Sequence, residues 1–304
     1  MPCAMLLQAP LQPLNLHWLN AAGVEVAILR LDLIDSLISG NKWFKLKHHL
    51  AAARHAGAEG LISLGGSHSN HLHALAAAGK RFGFSTVGLL RGHPAQTPTV
   101  LDLQAFGMAL HWLGYAGYRA RHEPGFWAPW LERYPRLHPV PEGGGGLDGA
   151  LGCAEIVNQA RAQLFDVGWD DYDGWWLACG TGTTLAGLVL AEAGRHTVYG
   201  AMAVPASHGV AENVADILGA DCSTGYQLLD ASRGGFAKAD AELLGFIAAC
   251  EAQSGVALEP LYTGKALLAL RQAVEAGHCP KGSRMIFVHT GGLQGKRASG
   301  ATLD

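Results

Sequence analysis

The sequence predicts an α/β fold built on parallel sheets, and three observations predict it. Short apolar runs alternate with helical stretches along the chain, as in successive βα units. The runs are continuously apolar instead of alternating, as strands covered on both faces are. Several runs end in glycine-rich turns that open directly into a helix. Such turns lie at the carboxyl edge of a sheet, where open α/β sheets bind ligands.

The elements follow in order. Val26–Ile34 reads as a strand and Phe44–Gly57 as a helix. Gly60–Leu64 is a short strand ending in Gly-Gly, followed by a helix over Ser69–Phe82 and a strand over Thr86–Leu90. A helix at Val100–Phe106 and a strand at Ala109–Leu113 come next. Beyond the glycine run 143–146, a helix is expected over Cys153–Gln163, a strand over Trp175–Cys179, a helix over Leu185–Ala193 and a strand over Val198–Val204. Helices at Ala239–Gln253 and Gly264–Ala276 and a strand at Met285–His289 complete the pattern. The run Gly143–Gly146 reads either as a hinge between two domains or as an ordinary flexible loop.

Composition narrows the function. Of 304 residues, 49% are hydrophobic and 15% charged, which excludes a disordered chain and allows two domains with large cores. The net charge of −3, with no dense Lys/Arg patch, points away from nucleic acid. No apolar run reaches the roughly 18–20 residues of a membrane span, and the first twenty residues lack the pattern of a signal peptide. The six cysteines (Cys3, Cys153, Cys179, Cys222, Cys250, Cys279) are scattered with no CxxC, as expected of free thiols in a cytoplasmic protein.

Five segments carry candidate chemistry. Cys179-Gly180-Thr181-Gly182-Thr183-Thr184 follows an apolar strand and opens an Ala/Leu/Val helix. Its backbone N–H groups, threonine hydroxyls and helix dipole suit a phosphate dianion. It lacks the Lys-Ser/Thr of a Walker A loop and the spacing of a dinucleotide fingerprint; as a bare motif it could also be a tight connection. In Ser39-Gly40-Asn41-Lys42-Trp43-Phe44-Lys45, a lysine stands at the mouth of a helix. There a helix N-terminus and a nearby cation would lower its pKa, as a lysine that reacts with a carbonyl cofactor needs. Taken alone it could equally be a surface charge. Gly65-Gly66-Ser67-His68-Ser69-Asn70-His71-Leu72-His73 could bind a carboxylate or a ring hydroxyl through Ser69 and Asn70, or merely cap a helix. His71 and His73, two residues apart, would point to different helix faces, which argues against a metal site. Glu259-Pro260-Leu261-Tyr262-Thr263-Gly264-Lys265 and His289-Thr290-Gly291-Gly292-Leu293 read as a helix start and a strand end.

Together and in this order, the five segments resemble the 1-aminocyclopropane-1-carboxylate deaminase / D-cysteine desulfhydrase family. These are pyridoxal 5′-phosphate enzymes of fold type II, similar to the tryptophan synthase β chain. The resemblance runs from about residue 25 to 295 and includes Arg91-Gly92-His93, the stretch from Asp102 to Met108, and Pro141–Gly144. It implies two domains, a small one over 43–148 inserted into a large one of 1–42 and 149–304, and a cytoplasmic homodimer acting on a small amino acid. It implies Lys42 as the cofactor-bearing lysine and later proton shuttle, Asn70 on the ring hydroxyl, and Ser69 on the substrate carboxylate or assisting proton transfer. Gly180, Thr181, Gly182, Thr183 and Thr184 would hold the phosphate, Tyr262 would line the substrate side and Thr290 would face the pyridine nitrogen. The ring-opening deaminases carry a Glu after the tyrosine, where this chain has Thr263, and a second tyrosine where this chain has Phe236. Both differences favour β-elimination over ring opening. D-Cysteine is then the expected substrate. Other members of the scaffold would be a ring-opening deaminase, a racemase or a dehydratase; a non-catalytic binding protein is the alternative of another class.

Overall fold

Ten strands, among the residues described, sort into two sheets whose parallel strands end at one shared region. The computed structural model describes residues 7–219, 224–235 and 237–295. In chain order its elements are β1 (Leu11–Pro13), α1 (His17–Ala22), β2 (Glu25–Arg30), α2 (Asn41–His55), β3 (Gly60–Gly65), α3 (Asn70–Phe82), β4 (Ser85–Leu90), α4 (Pro98–Ala105), β5 (Ala109–Trp112), α5 (Gly114–Arg119), α6 (Ala128–Arg133) and β6 (Leu137–Pro139). They continue with α7 (Gly146–Arg161), β7 (Gly174–Cys179), α8 (Thr183–Glu192), β8 (Thr197–Met202), α9 (Val210–Leu218), β9 (Tyr226–Asp230), α10 (Ala241–Ser254), α11 (Thr263–Glu275) and β10 (Arg284–His289).

One sheet has the order β5-β4-β3-β6 and is parallel throughout. The other runs β1-β2-β10-β7-β8-β9, parallel except for the short antiparallel edge strand β1. This is the expected α/β arrangement of parallel-rich sheets flanked by helices. β3 and β7 are buried along their whole length, which is why they carry no polar alternation. β7 also shows how the large sheet is clamped from both faces. Trp175 points one way and donates its indole N–H to Glu192 at 2.8 Å; Trp176 points the other way and donates to the carbonyl of Ala266 at 2.8 Å.

The structure moves several expected boundaries. The first strand ends at Arg30, because residues 31–33 close a 3-10 turn that buries Leu31 and Asp32. α2 begins at Asn41, three residues before its expected start, because Gly40 at φ +72° breaks the chain direction there. A β-carbon on Gly40 would stand 2.1 Å from the carbonyl oxygen of Thr290, so this junction also binds the end of β10 to the start of α2. α7 begins at Gly146 instead of Cys153, so the glycine run starts a helix and is not an open loop. Gly149 and Gly152 lie inside that helix and bring its backbone against Gly144 and Phe44, whose carbonyl oxygens would be 2.0 and 2.1 Å from added β-carbons. β1, β6, β9, α1, α5, α6 and α9 were not expected. They are short or, as in α9 and β9, half-exposed. No helix of the described residues is long and apolar enough to cross a membrane.

Candidate active site

The carboxyl ends of β3, β7 and β10 and the start of α2 bring the five segments to one place. Lys42 and Lys45 lie one turn apart on the first turns of α2 and face each other. Lys45 is 3% exposed and donates from Nζ to Thr181 Oγ1 at 3.3 Å. Burial first, and then the charge of Lys45, hold Lys42 well below the ordinary lysine pKa. Burial lowers Lys45 too, but Cys153, Cys179 and the hydrogen bond it shares with Lys42 oppose the shift. Two buried amines one turn apart thus oppose each other's charge, and Lys42 is lowered the more. Cys153 and Cys179 are buried near the pair, and burial raises both thiols, Cys179 to about 12.

The glycine–threonine turn after β7 meets the same lysines. Gly182, at φ +76°, occupies the cap position of α8, and no side chain caps the helix. The first N–H groups of α8 therefore stand without side-chain acceptors, with the positive end of the helix dipole behind them. Thr181 and Thr183 share a hydrogen bond at 2.9 Å, Thr184 accepts from Asn41 Nδ2 at 2.9 Å, and Asn213 anchors the carbonyl of Thr181. The chain returning from the small sheet crosses at Gly143–Gly145. A β-carbon on Gly143 would meet Thr181 at 3.2 Å, and one on Gly144 would meet Lys45 at 3.2 Å.

α3 presents the opposite polarity. Ser69 caps it, accepting from the N–H of Leu72 at 3.1 Å. Asn70 Oδ1 is buried without a hydrogen-bond partner and lies on the side of Gly292, whose β-carbon would stand 3.1 Å from Asn70 Nδ2. Ser63 Oγ donates its only proton to the carbonyl of Val140 at 2.7 Å, so it must accept from His71 Nε2–H at 2.8 Å. That fixes the tautomer and leaves His71 Nδ1 as a bare, buried acceptor near Lys42 and Lys45. Burial and those two charges push the His71 pKa well down. His73 instead meets Asp102 at 3.2 Å, and His68 is exposed, so the three histidines do not converge.

Tyr262 and Thr290 close the remaining sides. The Tyr262 ring lies against the phosphate turn: a β-carbon on Gly180 would be 3.0 Å from Tyr262 Cε1. Burial and the nearby Glu259 raise its phenol. Thr263 is fully buried and turns toward Glu259, to whose carboxylate its hydroxyl donates at 3.2 Å. Glu259 also accepts N–H groups of Leu261 at 2.7 Å, Tyr262 at 2.8 Å and Thr263 at 2.6 Å; burial still raises its pKa. The carbonyl of Thr290 accepts the N–H of Asn41 at 3.1 Å. Behind Thr290, His289 is enclosed by Asp32 at 3.2 Å and the carbonyl of Ala257 at 2.8 Å, and Arg30 forks onto Asp32 at 2.9 and 2.7 Å. The Phe236 position lies outside the described residues.

The five segments that carry the expected site residues thus meet in one region. Sequence reading missed the Ser63–His71 pair and the Arg30–Asp32–His289 network; the first joins a buried strand to the following helix and the second is completed by a residue distant in sequence, so neither makes a local pattern. The described residues fit a phosphorylated, carbonyl-bearing ring with a hydroxyl. A buried lysine amine of lowered pKa, an open helix N-terminus beside a second lysine, an unpartnered amide oxygen and an aromatic wall are its complement.

Known proteins agree. A Pyrococcus horikoshii protein provisionally named a 1-aminocyclopropane-1-carboxylate deaminase is 29% identical over 296 residues, covering 90% of this chain and 86% of its own. An Arabidopsis thaliana protein named a bifunctional D-cysteine desulfhydrase/1-aminocyclopropane-1-carboxylate deaminase is 27% identical over 297 residues, covering 90% of this chain and 73% of its own. The crystal structure of an ACC deaminase homologue superposes with a TM-score of 0.82 at 27% identity, covering 97% of this chain and 92% of that one. The model of the family described as pyridoxal-phosphate dependent enzyme matches residues 7–291, and the chain belongs to that family.

Proposed function

We propose that this enzyme is a lyase that eliminates the β substituent of a small amino acid and deaminates it, with D-cysteine as substrate. With one water, D-cysteine gives pyruvate, hydrogen sulfide and ammonia. The observation that supports the reading most is the buried lysine pair, Lys42 and Lys45, held at the open end of α8 with the Lys42 pKa well lowered.

Pyridoxal phosphate, when bound, supplies an electron sink for negative charge at the substrate α-carbon. In this reading Lys42 holds the cofactor through its amine, and once displaced by the substrate amine it takes the α-proton. Burial and the charge of Lys45 lower its pKa, which favours its acting as a base. Asn70 holds the ring hydroxyl. Gly180, Thr181, Gly182, Thr183 and Thr184 hold the phosphate. Ser69 meets the substrate carboxylate, Tyr262 lines the substrate side and Thr290 faces the pyridine nitrogen. Residues 43–148 act as a small domain that closes on the large domain of 1–42 and 149–304 and excludes water.

The engagement of Thr263 by Glu259 supports elimination over ring opening. Both oxygens of Glu259 already accept protein donors, so it is occupied as a helix-start anchor. A hydroxyl at Thr290 can bond the pyridine nitrogen without holding it protonated, which suits departure of a thiolate. The names of the relatives favour a second reading, deamination of 1-aminocyclopropane-1-carboxylate. The reading includes a cytoplasmic homodimer; the described cysteines are all free, buried thiols, which accords with the first part.

Separate assays with D-cysteine, L-cysteine and 1-aminocyclopropane-1-carboxylate, reading pyruvate and sulfide, test the substrate. Pyruvate with sulfide from D-cysteine alone is the expected result. Pyruvate-free turnover of the cyclopropane to 2-oxobutyrate and ammonia, with no sulfide from cysteine, would replace it with the second reading.

A further inference from the structure

Lys265 is 1% exposed on the first turn of α11, three residues beyond Tyr262. Its Nζ donates to the carbonyls of Ser232 at 2.9 Å, Gly235 at 2.9 Å and Ala203 at 3.3 Å. The described neighbours of Nζ are carbonyl acceptors, the complement of an ammonium. Burial and the charge of Arg233 work against that charge, while Glu259, Asp230 and Asp240 support it.

The cage joins parts that are distant in sequence. Ala203 follows β8 and donates its own N–H to Cys179 at 2.9 Å, the residue before the phosphate turn. Ser232 and Gly235 belong to the loop after β9, fixed by hydrogen bonds from Ser232 N to Asp230 at 2.9 Å and from Gly235 N to Ser232 at 3.1 Å. The ammonium therefore ties the first turn of α11, with Tyr262, to the strand ends beside Gly180. Rings of backbone carbonyls are also how proteins coordinate potassium, whose charge an ammonium matches.

We propose that Lys265 is a tethered monovalent cation, a positioning residue that fills a carbonyl cage which a potassium-sized ion occupies when the side chain is removed. The protein then needs no free alkali cation, and Lys265→Ala acquires a site for one. The test is thermal unfolding of cofactor-loaded wild type, Lys265→Ala and Lys265→Met in potassium, ammonium, lithium or tetramethylammonium chloride at one ionic strength. Wild type is expected to melt at the same temperature in potassium and tetramethylammonium. The alanine variant should lose several degrees in tetramethylammonium and regain them saturably with potassium or ammonium, not lithium. The methionine variant, its cage filled, should regain nothing. An alanine variant indifferent to the cation, or a wild type that needs potassium, overturns the proposal. A second measurement requires no variant to be stable. In protein labelled with 15N at lysine Nζ, the signal that Lys265→Arg removes should be a slowly exchanging ammonium at pH 8, and an amine signal there overturns it. Neither readout uses turnover, so the inference fails separately from the proposed activity.

Discussion

Two joints of the molecule share one plan and end with opposite polarity. β3 and β7 are both buried parallel strands, each running through glycine into a helix at the same cleft. At the first joint Ser69 caps α3 and satisfies its leading N–H group, and the side chains beyond it offer acceptors, Asn70 Oδ1 and His71 Nδ1. At the second, Gly182 caps nothing, and α8 offers donors. One cap residue decides whether a strand–turn–helix joint uses its own hydrogen-bonding capacity or leaves it for a ligand. Donors at α8 suit an anion and acceptors at α3 suit a hydroxyl, which is the orientation the proposed function requires.

That contrast can be broken in order of expected effect. Replacing Lys42 by alanine removes the amine that the donor joint serves. Turnover should fall on the order of 10³-fold or more, with the cofactor no longer covalently held, as read by rate and by absorption after borohydride. Next comes a glycine pair. A β-carbon on Gly182 would stand 2.3 Å from Val214 Cγ2 at a positive φ, whereas one on Gly66 meets nothing within 4 Å. Gly182→Ala should cost about 2–4 kcal/mol in strain and overpacking and weaken cofactor affinity well beyond tenfold, while Gly66→Ala stays within about 0.5 kcal/mol. Equal effects in cofactor titration would show that the two turns do not differ as described.

A third substitution, Lys45→Gln, addresses the lysine pair. Burial still lowers Lys42, but the neighbouring charge is gone, so Lys42 binds its proton at higher pH. Capture of pyridoxal, which lacks the phosphate, should therefore need more alkaline solution, with the midpoint moved up. An unmoved midpoint would assign the low pKa to burial alone. The smallest effect is expected at the other joint. Ser69→Ala removes a cap and should lower stability by about 1 kcal/mol in denaturant unfolding, with phosphate affinity unchanged.

His71 adds a pH dependence with a definite sign. Its folded pKa lies below the unfolded value, so the unfolded chain binds more protons as pH falls below about 6.5. The cofactor-free protein should lose up to about 1.4 kcal/mol of stability per pH unit from this group as the solution is acidified, and His71→Asn should flatten that slope.

Both joints were legible in the sequence, because an apolar run, a glycine turn and a helix are adjacent along the chain. The order of the five segments carried the family resemblance for the same reason. Helix starts were mostly legible to within about three residues, with or without a polar cap, and α7 was the exception. Ser69 placed α3 within one residue, whereas the glycines of 146–152 hid the first two turns of α7, since their purpose is close helix contact and not local propensity. Least legible were arrangements made by tertiary packing. Thr263 reads as a lost acid until Glu259 is found bound to it. Lys265 reads only as part of a helix start until carbonyls from two other segments are found around it.

The two indoles of β7 give the molecule an intrinsic optical reporter. Trp176 is four residues before Gly180, and at about 3.3 Å per strand residue it lies about 13 Å from the phosphate turn. Both rings are shut away from water on opposite faces of the sheet, so their ultraviolet emission should be bright and insensitive to solvent. A near-ultraviolet absorber entering the cleft would quench that emission by energy transfer, and the resulting loss of fluorescence would count occupied sites before any substrate is chosen.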